Sequence, residues 1–140
     1  MKRRQGFTLL ELMIVVVILG VLALIAVPAL LNAAEQSRES VMAGNVSAAA
    51  STLGSRLAVG TTIDAAAITA MVADLNASSA NPFDDTQPAY VANAACGNPG
   101  EVGIAAGAAA DSYDITGCDS TSAATITKTV FAPEDAVAAF

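Results

Sequence analysis

The chain has 140 residues, of which 54% are apolar and only 4% aromatic, with two cysteines and no His or Trp. This composition excludes a zinc site built from His and Cys ligands, and acid–base catalysis by histidine. The net charge is −7, but the three basic residues Lys2, Arg3 and Arg4 precede all 13 acidic ones. The acidic remainder is a poor electrostatic partner for nucleic acid, so no direct nucleic-acid binding is expected.

The first predicted element is a membrane-spanning helix over residues 7–31. The stretch contains one charged residue, Glu11, and a helix of this length measures roughly 37 Å, enough to cross a bilayer. A secretory signal that is lost on export is the competing interpretation, but its apolar region is usually about 7–15 residues long. The basic residues ahead of the stretch indicate a cytoplasmic N-terminus.

Glu11 is the residue of this segment that is unfavourable for membrane insertion. A carboxylate inside a membrane span costs on the order of 2.5–3.5 kcal/mol on insertion scales. One interpretation places Glu11 near the interface, where its side chain reaches water. The other gives it a positive partner from outside its own chain, such as the α-amino group that cleavage before Phe7 would create on a neighbouring chain.

The start of the chain resembles the class III signal of type IV prepilins and the related pseudopilins. A short basic leader ends in Gly6, Phe-Thr-Leu-x-Glu follows over residues 7–11, and an unbroken apolar stretch comes next. The resemblance implies that prepilin peptidase cuts between Gly6 and Phe7 and then N-methylates Phe7. It also implies that Glu11 neutralises the Phe7 amine of an adjacent subunit and so sets the register of assembly.

Gly20 and Pro28 also match positions of this family. From the residues alone a mild kink is expected, because Gly has a low helix propensity and Pro removes a backbone hydrogen bond. The resemblance implies in addition that the helix melts between these two residues when it is packed in a filament.

Beyond residue 31 the pattern becomes amphipathic and predicts that the helix continues to about residue 58. Its apolar stripe should pack on the C-terminal region, although a free coiled coil is an alternative. Thr61 and Thr62 offer a cap for a second helix over residues 64–75. The stripe of the long helix consists of Met42, Val46, Ala49, Ala50, Leu53 and Leu57.

Four later segments predict strands: residues 89–93, 101–107, 112–116 and 124–131. In the last one Lys128 shares a face with Ile126 and Val130, which indicates an edge strand. The fold class is therefore α+β, with the long helix packed against a small antiparallel sheet, and the family has this fold too. The expected divisions are a leader (1–6), a transmembrane or filament-core segment (7–31), an amphipathic continuation (32–58) and a globular region (59–140).

Cys96 and Cys118 lie in the strand region, which is expected outside the cytoplasm, where disulfides persist. We predict that they are bridged; reactive thiols are the alternative, but no basic residue lies beside either cysteine. A disulfide near the C-terminus is also a feature of many type IV pilins, whereas many major pseudopilins lack one. The aspartates at 84, 85, 111, 114 and 119 raise the possibility of calcium, but a solvated acidic surface is the preferred interpretation, and no metal or cofactor is predicted.

The leading hypothesis for function is a structural subunit of an extracellular type IV pilus, polymerised through its apolar helix and serving motility, adhesion or DNA uptake. The alternative is a pseudopilin of a type II secretion system. A membrane-anchored enzyme is the third hypothesis, and the sequence lacks a catalytic constellation for it. Expected partners are identical copies, prepilin peptidase, the membrane, and an inner-membrane assembly platform with its ATPase. The subunit would be a single-pass inner-membrane protein before assembly and lie on the cell surface afterwards.

Overall fold

The computed structural model describes residues 6–109 and 111–132, and the chain divides after Gln36 into two units. Helix α1 is 50 residues long and contributes to both units. The elements in chain order are α1 (Leu9–Ala58), α2 (Ala65–Asn76), β1 (Tyr90–Val91), β2 (Val102–Ala106), β3 (Ser112–Cys118) and β4 (Ala124–Phe131).

The first unit contains the apolar start of α1. Its large side chains are exposed, from Leu9 at 78% to Leu31 at 65%. The segment is rich in Val and Ile, which are weak helix formers in water, but in lipid a helix is favoured because it satisfies every backbone polar group internally. By length and composition α1 can cross a membrane.

The second unit is built around the predicted stripe of α1. That prediction is confirmed: the buried residues of the helix are Met42, Val46, Ala49, Ala50, Leu53 and Leu57. They share one core with Ile104 and Ile115 of the sheet. Gly117 in β3 allows the close approach of helix and sheet, because a Cβ there would collide with Met42 Sδ.

Helix α2 is capped by Asp64, whose Oδ1 accepts a hydrogen bond from the Ala67 backbone N–H at 2.7 Å. The prediction that Thr61 and Thr62 provide the cap was wrong, because the helix begins at Ala65 and its N-cap residue is Asp64. Its buried residues are Ile68 and Met71.

The sheet is mixed, with strand order β1-β2-β3-β4. β2, β3 and β4 are antiparallel, but β1 pairs with β2 in parallel, Tyr90 opposite Val102, so the expectation of a purely antiparallel sheet was wrong. The side chain of Asn76 fixes β1 at the end of α2: its Nδ2 donates to the Tyr90 carbonyl and its Oδ1 accepts from the Tyr90 N–H, both at 2.9 Å. This side-chain pairing substitutes for a strand neighbour and explains how a two-residue strand is held.

Within the described sheet β4 pairs only with β3 and is therefore an edge strand, as the position of Lys128 predicted. Ile126 and Val130 are half-buried against the core, whereas Lys128 between them is exposed. The charge therefore remains in solvent while its two apolar neighbours pack.

Two valines of α1 test how much the apolar stripe contributes to the free energy of unfolding. Val46 is 2% exposed and Val41 is 49% exposed. We expect Val46→Ala to lower the free energy of unfolding by about 2 kcal/mol through the cavity it leaves, and Val41→Ala by no more than about 0.5 kcal/mol. Urea unfolding of the detergent-solubilised chain, followed by the near-UV signal of Tyr90 and Tyr113, measures both. Equal losses for the two variants would contradict the assignment of the core.

Candidate functional site

The predicted cleavage site lies just ahead of α1. Gly6 and Phe7 are outside the helix, and the Phe7 side chain is 81% exposed. Residues 1–5, with the three basic residues of the leader, fall outside the described part of the chain. The Gly6–Phe7 peptide bond is therefore in an accessible, non-helical segment, the kind of backbone that a peptidase can bind.

Thr8 and Glu11 form a reciprocal cap at the start of α1. The Thr8 N–H donates to Glu11 Oε2 at 3.0 Å, the Thr8 hydroxyl donates to the same oxygen at 2.8 Å, and the Glu11 N–H donates to Thr8 Oγ1 at 3.3 Å. This is a capping box, which satisfies N–H groups that the first turn of a helix leaves without partners. Glu11 therefore has a local structural role besides its predicted one in assembly.

The role of Thr8 was missed at the sequence level. Thr and Glu three residues apart, directly before an apolar run, are themselves the signature of a capping box. The signal was present, but the same residues were interpreted only as part of a processing motif. The capping box does not neutralise the carboxylate of Glu11. Among the described residues the one salt bridge joins Arg56 to Asp74 at 3.1 Å, so Glu11 has no ionic partner there.

Gly20 and Pro28 both lie inside α1, which is uninterrupted through them. A Cβ at Gly20 would meet no atom of the described residues within 4 Å, so packing among these residues does not require a glycine here. The structure describes a single chain and does not test melting in a filament, which stays a prediction. What it establishes is that two helix-weakening residues occupy the apolar half of a continuous helix.

Cys96 and Cys118 form a disulfide between the β1–β2 connection and the end of β3, as predicted. The turn beside it is organised by Glu101, which is 4% exposed. One Glu101 carboxylate oxygen accepts from the backbone N–H groups of Gly97 and Asn98 at 3.0 and 2.9 Å, and the other accepts from the Asn98 side chain. Sequence reasoning gave no role to Glu101, because its partners come together only once the turn has formed.

The acidic residues considered for calcium do not form a metal-binding cluster within the described ranges. No group of three or more His, Cys, Asp or Glu within the described ranges could hold a metal ion. The Thr86 side chain lowers the pKa of Asp84, and the Thr121 side chain, with the N–H groups of Ala123 and Thr121, lowers that of Asp119. These carboxylates are thus engaged in their own turns.

Comparison with known proteins gives two kinds of match, both partial. The model of the prokaryotic N-terminal methylation motif matches residues 1–27. The type II secretion system core protein G of Pseudomonas aeruginosa is 47% identical over 55 residues, 38% of this chain and 39% of that protein. Its counterpart from Klebsiella pneumoniae is 57% identical over 37 residues, 26% of each chain. No solved structure matches the chain.

The N-terminal segment is therefore similar to a processing motif and to the two secretion proteins, and the similarity is limited to part of the chain. The matches span about two fifths and a quarter of the two curated relatives. The family signal and the exposed apolar half of α1 together indicate a membrane-anchored precursor.

The disulfide should contribute strongly to the second unit, whose core is small. Removal of both cysteines in a Cys96→Ala/Cys118→Ala variant should lower the free energy of unfolding by about 3 kcal/mol, since the bridge closes a loop with a separation of 22 residues. Urea unfolding without reductant measures this loss. Dithiothreitol should destabilise the wild-type chain by a similar amount and leave the variant unchanged. A wild-type chain that is insensitive to the reductant would contradict the prediction.

Proposed function

We propose that this chain is a pseudopilin, the subunit of a short filament of a type II secretion system. The observation that carries the proposal is the 47% identity with the Pseudomonas aeruginosa core protein G over 55 residues, about twice the length of the matched methylation motif. The second relative has the same name. The pilus was the leading hypothesis from sequence, and the relatives support its alternative instead.

In the proposed sequence of events the precursor is inserted in the inner membrane through α1, with its leader in the cytoplasm. Prepilin peptidase cuts between Gly6 and Phe7 and methylates the new Phe7 amine. The assembly platform and its ATPase then move the subunit from lipid into a filament of identical copies. The exposed apolar side chains of α1 support this proposal, because lipid and a bundle of like helices both bury them.

Glu11 is proposed to set the position of each new subunit by pairing with the Phe7 amine of a neighbour. An acid in an apolar environment is stabilised by an opposite charge within hydrogen-bond distance. The described residues provide no cation for Glu11 in its own chain. Its capping box with Thr8 keeps the carboxylate at the first turn of α1, near the end where the Phe7 amine would be created.

One specific observation favours the pilus as a second candidate. The Cys96–Cys118 disulfide resembles the bridge that closes a loop in many type IV pilins. A surface pilus and a secretion pseudopilus use the same N-terminal chemistry, so the two candidates differ in what fails when the subunit is missing.

Deletion of the gene tests the two candidates against each other. The pseudopilin proposal predicts that exoproteins accumulate in the periplasm of the deletion strain while surface fibres, counted by electron microscopy of sheared material, are unchanged. Restoring the wild-type gene should restore secretion. Loss of fibres with normal secretion would reject the pseudopilin and support the pilus.

Two variants separate the charge of Glu11 from its capping role. Glu11→Gln removes the charge but keeps an acceptor, because Gln also serves in a capping box. Thr8→Val removes the hydroxyl of the cap, at a cost of about 1 kcal/mol of helix stability, and keeps the charge. We expect Glu11→Gln to abolish secretion at normal membrane levels of the subunit, and Thr8→Val to retain it. The opposite pattern would show that the cap, and not the charge, is what assembly needs.

A further inference from the structure

The second unit contains an open pocket that none of the proposed steps uses. The pocket has a volume of about 480 Å³ and lies between one face of α1 and the loop that follows α2. Ser37, Arg38, Val41 and Asn45 line it from the helix, and residues 78–82 line it from the loop. We call it the Arg38 pocket.

Arg38 is held in place without a carboxylate partner. Its guanidinium lies over the Phe83 ring, 5.8 Å from the centroid, a cation–π contact that orients the side chain and leaves its N–H donors available. Among the described residues Arg38 forms no salt bridge, although Glu35 and Glu39 are close to it in the helix. By contrast, Arg56 already pairs with Asp74.

Asn45 lines the same side of the pocket. Its Nδ2 is buried and has no hydrogen-bond partner among the described residues, which is unusual for a buried amide. The opposite wall is fixed by Asn81, whose Nδ2 donates to the carbonyls of Pro88 and Pro99 and whose Oδ1 accepts from the Phe83 N–H. Hydrogen bonds therefore hold the loop side of the pocket, and Arg38 supplies N–H donors on the helix side. Such a site suits an anionic acceptor.

The charge of the chain indicates where that acceptor comes from. After the leader there are three basic residues, Arg38, Arg56 and Lys128, against 13 acidic ones. Copies of so acidic a domain repel one another when they are brought side by side, unless cations of one copy meet carboxylates of the next. Because Arg56 is paired with Asp74, Arg38 is the cation that lines a pocket and can contact another copy.

We infer that the Arg38 pocket receives an Asp or Glu side chain from a second copy of this chain. The inference rests on the proposed assembly into a filament and adds a polar contact between the second units to the burial of the apolar helices. The contact is bidentate, because a guanidinium can donate two parallel hydrogen bonds to one carboxylate.

Zero-length cross-linking tests this contact in assembled filaments. The variant Arg38→Lys/Lys128→Arg places the one side-chain amine of the mature chain in the pocket. A carbodiimide joins an amine to a carboxylate as an amide, with loss of water, only where the two groups touch. Filaments are grown from cells that contain ¹⁵N-labelled and unlabelled copies, and the cross-linked peptides are identified by mass spectrometry.

The expected result is a peptide pair that joins position 38 of one copy to an Asp or Glu peptide carrying the other isotope label. Exclusively same-label pairs, which would mark contacts within one chain, or no pair from position 38, would overturn the inference. A cross-link to the peptide of a different protein would also overturn it, because the acceptor would then come from another partner.

A charge-removal pair provides an independent readout. Arg38→Gln should lower the yield of filament recovered from the cell envelope by about tenfold at equal subunit levels in the membrane, the effect of one lost charge pair across an interface. Arg56→Gln removes the same charge from an internal pair and should leave the yield unchanged. Equal yields for both variants would reject the inference while leaving the proposed function intact. Absence of any filament from the wild-type subunit would instead reject the proposed function.

Discussion

The exposed apolar half of α1 is the constraint on which the rest of the molecule depends. Burial of one large apolar side chain is worth about 1.5–3 kcal/mol, so leaving this run in water would cost on the order of tens of kcal/mol. The described residues offer no cover for it. A chain with this helix must keep it in lipid or against other helices, and transfer from one to the other amounts to polymerisation. The proposed processing, register and assembly are ways to control that transfer.

The second unit has a small apolar core that is supplemented by local interactions. Among the 13 buried residues of its core three are Ala and one, Tyr90, is aromatic, so local devices supply much of its order. Gly117 lets the sheet approach α1 closely, Asn76 anchors β1, and Asn81 ties three loop segments together. The disulfide and the Glu101 turn hold the connection between β1 and β2. Each device uses a backbone group or a bridge in place of a large apolar side chain.

Much of this fold could be predicted from the sequence, because its strongest signals are periodic. The stripe from Met42 to Leu57 repeats at helical spacing, and the strands β2 to β4 lie between turn residues, so both were found. The parallel pairing of β1 could not be predicted, because a two-residue strand has no period and its direction is set by distant partners. The cap at Asp64 was missed because Thr61 and Thr62 are also favourable capping residues in isolation, although Asp ranks above Thr.

The N-terminal motif shows a different limit of prediction from sequence. Gly6, Phe7 and Glu11 were identified from a motif, but the motif is shared by pili and secretion pseudopili and does not discriminate between them. The Arg38 pocket was not visible in the sequence at all, since it joins residues of α1 to a loop about 40 positions further along the chain. Long-range placement of a single arginine leaves no pattern that composition or spacing would reveal.

The central claim is that α1 becomes the buried core of a filament only after the leader has been removed. Mass spectrometry of the intact subunit, recovered from purified filaments, tests it most directly. We expect a chain that begins at Phe7, carries one added methyl group on that residue, and lacks Met1–Gly6. Assembled subunits that still contain Met1–Gly6 would contradict it.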